Sequence, residues 1–237
     1  ATNDDGEDNG AVYVFSRAGS NWSHQSYLKA PNSSNGDEFG FSIAMSDDTV
    51  AVGAMREDSS TTAIIHGANL DDTNNGGNEN GAVYVYTRSG FQWSHQAYVK
   101  APNSGQGDAF GDVSLSGDVL VVGARGEDGF STDIIQCVNL SDSDNNGNSN
   151  GAAYVFVRSG STWSHQAYLK SPNNDNGDYF GFSTAVSEDT VVVGAPYERS
   201  TTTSIIHSVD LSATDNDGTS VDGYYNGATY VFRHLTP

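Results

Sequence analysis

Cysteine, basic residues and long apolar runs are all scarce in this chain. The one cysteine, Cys137, has no second thiol to pair with inside the chain, which rules out an intrachain disulfide framework. It is expected to be a small packing residue, with an intermolecular bridge as the alternative. Lys and Arg together number 10 against 30 Asp and Glu, for a formal net charge of −20. A surface of that sign repels phosphate backbones and anionic lipid, so nucleic acid and inserted membrane are excluded as partners, while cations are compatible with it. No stretch approaches the roughly 18 apolar residues of a membrane helix, and no signal-peptide pattern is present. Cys-x-x-Cys, His-Glu-x-x-His, Gly-x-Ser-x-Gly and the Walker phosphate loop are missing too. With no such anchor for catalysis, no enzyme is expected. The chain opens at Ala1 in the middle of a repeat, as a processed product or a portion of something longer would.

What the chain has in quantity is repetition. Gly10-Ala-Val-Tyr-Val-Phe15 returns as Gly81-Ala-Val-Tyr-Val-Tyr86, Gly151-Ala-Ala-Tyr-Val-Phe156 and Gly227-Ala-Thr-Tyr-Val-Phe232. The interval is about seventy residues, so one unit is being reused. The first three copies are followed by Trp22-Ser-His-Gln-Ser-Tyr-Leu-Lys29, Trp93-Ser-His-Gln-Ala-Tyr-Val-Lys100 and Trp163-Ser-His-Gln-Ala-Tyr-Leu-Lys170, and the fourth is not. Phe-Gly at 39, 110 and 180 then leads through a polar turn to Gly53-Ala54, Gly123-Ala124 and Gly194-Ala195. Each unit therefore holds four segments. The 27 glycines among moderate apolar content suit many short strands.

A period of two runs through these segments. Strict alternation places Trp22, His24, Ser26 and Leu28 on one face of a half-exposed strand, with Ser23, Gln25, Tyr27 and Lys29 on the other. Ala11 to Phe15 and Thr49 to Val52 are apolar on both faces, as an interior strand between stacked sheets requires. Ser46-Asp47-Asp48, Ser116-Gly117-Asp118 and Ser187-Glu188-Asp189 read as tight hairpins, and Pro31, Pro102 and Pro172, each before Asn, as turns. No window shows a sustained helical period. Thr61 to Leu70, Ser131 to Leu140 and Thr202 to Leu211 each hold an Ile-Ile pair in a polar excursion, read as an ordered loop with a short extra strand.

The order Phe-Gly, hairpin, Gly-Ala-Pro, Gly-Ala-x-Tyr-Val-Phe resembles the FG-GAP repeat, the blade unit of the integrin α-chain propeller and of related bacterial surface proteins. The resemblance covers essentially the whole chain. It implies an all-β fold of antiparallel four-stranded propeller-type blades. In each, the inner strand starts at Phe-Gly, the second ends at Gly-Ala-Pro, and the Tyr-Val-Phe and Trp-Ser-His segments form the third and outer strands. Only Gly194-Ala195-Pro196 matches that element completely, the others reading Gly53-Ala54-Met55 and Gly123-Ala124-Arg125. Where the integrin-type calcium loop lies, between the first two strands, this chain has only short hairpins.

Strand counting in this frame divides the chain into a half blade over 1–36, blades over 37–103 and 104–173, and a partial blade over 174–237. That is material for about three blades, whereas closed propellers use about four to eight. Completion by a second copy, in a closed ring or a head-to-tail filament, is expected, the alternative being a portion of a longer propeller. Gly10, Val12 and Val14 at one end and Ala228, Tyr230 and Phe232 at the other are the expected assembly positions, since open strand edges are templates for another chain. The resulting reading is an extracellular or cell-surface structural and adhesive module of bacterial type. Its partners would be copies of itself or a surface or matrix protein. The alternative is a lectin-like module holding glycans with Tyr27, Tyr98 and Tyr168.

Calcium is the one cofactor the composition suggests. Asp142-Ser-Asp144-Asn-Asn146-Gly147-Asn148 sets oxygen side chains at alternate positions before a glycine, the way a loop wraps a hard cation. Asp71 with Asn75, and Asp215 with Asp217, are weaker versions, and the other reading of all three is solvated turns. His24, His95 and His165 are equivalent positions in separate repeats and so cannot converge on one ion; packed histidines are expected. His66 and His207 share a register where Gln136 stands in the middle repeat. The regular placing of Arg17, Arg88, Arg158 and Arg233, of Lys29, Lys100 and Lys170, and of Arg56 and Arg125 beside Glu57-Asp58 and Glu127-Asp128, predicts ion pairs between blades.

Overall fold

Short alternating segments separated by Gly and Asx turns become fifteen strands and no helix among the described residues of the computed structural model. These are residues 7–68, 70, 74–136, 140, 147–201, 205–207 and 225–233. They form four antiparallel sheets. The first pairs β1 (Val12–Ala18) with β2 (Asn21–Leu28). The second uses β3 (Ser42–Ser46), β4 (Thr49–Ala54), β5 (Ile65–His66), β6 (Ala82–Ser89) and β7 (Gln92–Val99), in the spatial order β3-β4-β6-β7-β5. The third repeats that order with β8 (Phe110–Ser116), β9 (Val119–Ala124), β11 (Ala152–Ser159), β12 (Thr162–Leu169) and, outermost, β10 (Ile135–Gln136). The fourth is β13 (Ser183–Ser187), β14 (Thr190–Ala195) and β15 (Ala228–Arg233). This is the propeller-blade pattern, and the Ile-Ile segments add a fifth strand to the two middle sheets.

Apolar residues on both faces of the central strands are explained by the stacking. One buried cluster joins Val12, Leu28 and Phe39 to Val50, Val52, Tyr84 and Tyr98. The next joins Ala51, Val83, Val85 and Val99 to Phe110, Leu120, Val122, Tyr154 and Trp163, and the last joins Val121, Val155 and Leu169 to Phe180, Val191, Val193 and Tyr230. Successive residues of one strand thus serve two interfaces: Leu120 and Val122 face the second sheet, Val121 the fourth. The interior reading fails for the first and the fourth copies, Val231 on β15 being 60% exposed. Tyr13 and Phe15 on β1 are 60% and 56% exposed, because no described sheet lies on their side.

Glycine sets the distance between sheets. A Cβ on Gly123 would lie 2.0 Å from the Gly181 carbonyl oxygen, and one on Gly53 would lie 1.9 Å from that of Gly111. Any side chain there would push the sheets apart. At the hairpins, Asp47, Gly117 and Glu188 take the left-handed conformation (φ 50, 56 and 54°), which closes two-residue turns of matching twist.

The simple alternation in the Trp-Ser-His strands needs correction. Phe15, Tyr86 and Phe156 pair with His24, His95 and His165, but the preceding residues Val14, Val85 and Val155 pair with Ser26, Ala97 and Ala167. A β-bulge at Gln25, Gln96 and Gln166 absorbs the extra residue and reverses the facing of everything beyond it. Tyr98 and Tyr168 thereby join the Trp and His face instead of opposing it.

Candidate functional site

Behind each Gly-Ala turn a glutamate is buried at the same place. Glu57 Oε2 accepts from Lys100 Nζ at 2.9 Å and Glu127 Oε2 from Lys170 Nζ at 2.7 Å, with all four side chains at most 2% exposed. Their other oxygens accept from the carboxamides of Asn32 and Asn103 at 3.3 Å, and those amides in turn accept from the Tyr84 and Tyr154 hydroxyls at 2.7 and 2.8 Å. The asparagine belongs to the Pro-Asn turn of one sheet and the tyrosine to the next sheet, so each node ties two sheets together. In the fourth sheet Glu198 keeps the asparagine and the tyrosine, through Asn173 (2.9 Å) and Tyr230 (2.6 Å), and accepts from the Ser200 hydroxyl at 2.9 Å. No described lysine reaches it. Conversely, Lys29 of the first sheet donates to the Gly10 carbonyl at 2.5 Å and meets no described carboxylate.

An aspartate sits next to each node. Asp37, Asp108 and Asp178 are buried, and each accepts a backbone N–H from three residues earlier: Ser34 (2.7 Å), Gly105 (2.7 Å) and Asp175 (3.0 Å). Burial pushes their carboxyls up to about 6, 7 and 7, against the lowering effect of that hydrogen bond, and the nearby charges of Glu57, Glu127 and Glu198 add to the rise.

The expected assembly residues occupy equivalent places at the two ends. Gly10 (φ 73°) lies against the Phe39 backbone, Val12 is buried and Val14 packs on the same cluster. On β15, Tyr230 is buried, with Ala228 and Phe232 packed beside it. Among the described residues, β15 pairs only with β14, leaving open the edge that β7 and β12 cover in the middle sheets.

Of the expected calcium ligands, Asp71, Asp142, Asp144, Asn146, Asp215 and Asp217 lie outside the described residues, as does Cys137. Asn75 donates its amide to the Ser34 hydroxyl at 3.0 Å, and the Asn148 N–H is held by the Asn150 and Asn176 side chains. Among the described residues no three His, Cys, Asp or Glu converge as a metal site.

The histidines are packed against rings. His165 stands 6.1 Å from Tyr154 and 5.5 Å from Phe156, His95 sits likewise against Tyr84 and Tyr86, and burial lowers the pKa of both. The glycan reading of Tyr98 and Tyr168 does not hold, because the bulge turns both into the inter-sheet core at 0% exposure. The ion pairs also differ from expectation. Arg88 pairs with Asp48, and Arg158 with Asp118 at 2.7 Å, each within one sheet; Arg158 reaches the neighbouring sheet through hydrogen bonds to Thr49 Oγ1 (3.0 Å) and Gln96 Oε1 (3.4 Å). Arg56 bridges Glu38 and Glu79, not the adjacent Glu57. The partner of Glu57 and of Glu127 is a lysine 43 residues later, an offset that is regular in the sequence but was not read from it.

A family model described as FG-GAP repeat matches residues 22–63, 93–134 and 163–232. No match to a curated protein is found.

Proposed function

Because this chain belongs to the FG-GAP repeat family, we propose that it is a non-catalytic structural or adhesive module, bacterial and extracellular, that acts through self-assembly or protein binding. Repeats of this family typically occur in extracellular or surface proteins, and no helix among the described residues is long and apolar enough to cross a membrane. The carrying observation is the half-built node at each end. Glu198 is buried as deeply as Glu57 and Glu127 but has no described lysine, while Lys29 has no described carboxylate. A buried carboxylate without a cation is costly. The strand Trp22 to Lys29 of a second copy, exchanged from its own β1 to lie beside β15 as β7 lies beside β6, supplies the missing cation together with a ladder of backbone hydrogen bonds. Fold kinship alone does not set function, so the proposal rests on this edge. Calcium in the Asp142 loop is proposed to steady the module by binding the folded state.

The test is light scattering of the full chain, of a chain lacking residues 226–237, and of E198Q, each with calcium or a chelator. The full chain should assemble and the other two should give smaller species. A parent that stays monomeric at high concentration, or a truncation that assembles equally well, overturns the reading.

A further inference from the structure

Three positions come together in every repeat at the end of the sheet where the node lies: the residue before Phe-Gly, the second residue after Gly-Ala, and the second residue before the next Gly-Ala. In the second sheet they are Glu38, Arg56 and Glu79, an ion-paired trio with N–O distances of 3.4 and 3.6 Å. In the third they are Ala109, Gly126 and Ser149, and the gap is filled by backbone, since a Cβ on Gly126 would lie 2.1 Å from the Gly107 carbonyl oxygen. In the fourth they are Tyr179, Tyr197 and Tyr225. Tyr197 stands at the centre, 5.0 Å from the Tyr179 ring and 4.8 Å from the Tyr225 ring, with Phe182 at 6.5 Å. The left-handed backbone of Tyr179 (φ 55°) is shared by Glu38 and Ala109, so it belongs to the architecture and not to this cluster. The side chains are what change.

These rings wall a cleft of about 640 Å³ between the third and fourth sheets, with Arg125 and Arg199 among its lining residues. That volume lies in the range of small-ligand sites. In a chain of net charge −20, neither arginine forms an ion pair with a described carboxylate. Arg125 lies over the Phe182 ring at 5.3 Å and the Phe41 ring at 5.8 Å. Arg199 donates Nη2 to the Asn176 carbonyl at 2.5 Å, and its buried Nε has no partner. Its position carries a further sign of specialisation. The equivalent residues Asp58 and Asp128 accept the backbone N–H of Glu79 and Ser149 at 2.8 and 2.7 Å. An arginine cannot accept that bond, so the last repeat gives up a local cap and reverses a charge at the mouth of the cleft.

From this arrangement we infer that the cleft lined by Tyr179, Tyr197, Tyr225, Arg125 and Arg199 binds an anionic saccharide, a pyranose chain bearing carboxylate or sulfate. Tyr197 meets each of the other rings at 62 to 85°, so the central ring forms with none of them the parallel slot that a flat heteroaromatic base enters. Tilted single faces instead suit the C–H faces of successive sugar rings. Asn148 and Asn176, exposed among the lining residues, add amide groups matched to hydroxyls, and the guanidinium groups supply paired donors for the acid group. This site goes beyond the assembly proposed above and uses different residues.

The experiment is calorimetric titration of the full chain with three hexasaccharides, one of uronic acid, one sulfated and one neutral, and with an acidic peptide of equal charge. The parent should bind at least one anionic sugar, more weakly as salt rises, and the neutral one at least tenfold more weakly. Y197A, which removes the central ring, and R199Q, which removes a charge, should each weaken binding tenfold or more, with unchanged melting. R56Q, at the position equivalent to Tyr197 in the second sheet, should leave it unchanged. The sugar that binds identifies the acid group. No binding at millimolar saccharide, equal binding of the neutral sugar or the peptide, or full binding by Y197A and R199Q would each sink the inference. Scattering of the same samples reports assembly separately, so failure of one proposal is distinguishable from failure of the other.

Discussion

The indole N–H of Trp163, on β12 in the third sheet, donates to the side-chain oxygen of Gln96, the bulged residue of β7 in the second, at 3.0 Å. One unit earlier the Trp93 indole meets Gln25 at 3.1 Å. The bulge that disrupts each outer strand thus places an amide where it reaches the neighbouring sheet, and the irregularity becomes a clamp.

Removing that amide should be felt more at the inner junction. Trp163 is buried, while Trp93 is only half-buried. Q96A, which strands the indole donor, should cost about 1–3 kcal/mol and Q25A less, by the usual penalty for an unsatisfied buried group. Urea melts of the two variants check this. Equal losses would mean that the clamp contributes little beyond the local strand.

The Lys170–Glu127 pair should show strong non-additivity. Either K170M or E127Q alone leaves its partner buried beside an uncompensated or unsatisfied group, and about 3–5 kcal/mol is expected to be lost. The double variant should lose less than the sum. A double-mutant cycle by chemical denaturation measures the difference, and full additivity would show that the two residues are not coupled.

Asp108 gives a pH signature. Its folded carboxyl titrates at about 7 because it is buried, with Glu127 and Asp128 adding repulsion, whereas an unfolded aspartate titrates near about 3.9. Between those values the folded chain keeps a proton that the unfolded chain has released. The stability this provides is complete below the unfolded value and is lost as pH rises through about 7. Melting temperature should therefore fall from pH 5 to pH 8 in the parent and fall less in D108N, which cannot ionise. Parallel curves for the two proteins would remove Asp108 as the cause.

Much of the fold was legible because the repeats carry their own punctuation. Gly10, Gly81 and Gly151 each adopt positive φ, between 73 and 83°, where the next sheet's Phe carbonyl approaches, and only glycine fits there. The bulge at Gln96 was not legible, since Trp-Ser-His-Gln-Ala-Tyr-Val alternates without a break and only the partner strand reveals the extra residue. Nor was the lysine node, because Arg125 lies two residues before Glu127 in sequence while Lys170 meets it in space. The tyrosine cleft was hidden for another reason. Its three aromatic positions are far apart in the chain, and only the comparison of one unit with the next shows that they replace an ion-paired trio.

Gly53 meets the Gly111 carbonyl, and Gly123 meets that of Gly181, with no side chain between them. Each junction therefore joins the same two surfaces, a Gly-Ala side and a Phe-Gly side, whichever sheets are involved. At the level of the gene, a crossover between two units of about seventy residues would insert or remove one sheet bearing one surface of each kind, and the newly adjacent sheets would close on the same backbone contact. The number of sheets is thus free to drift over generations without any junction having to be reinvented, while novelties such as the tyrosine trio accumulate one unit at a time.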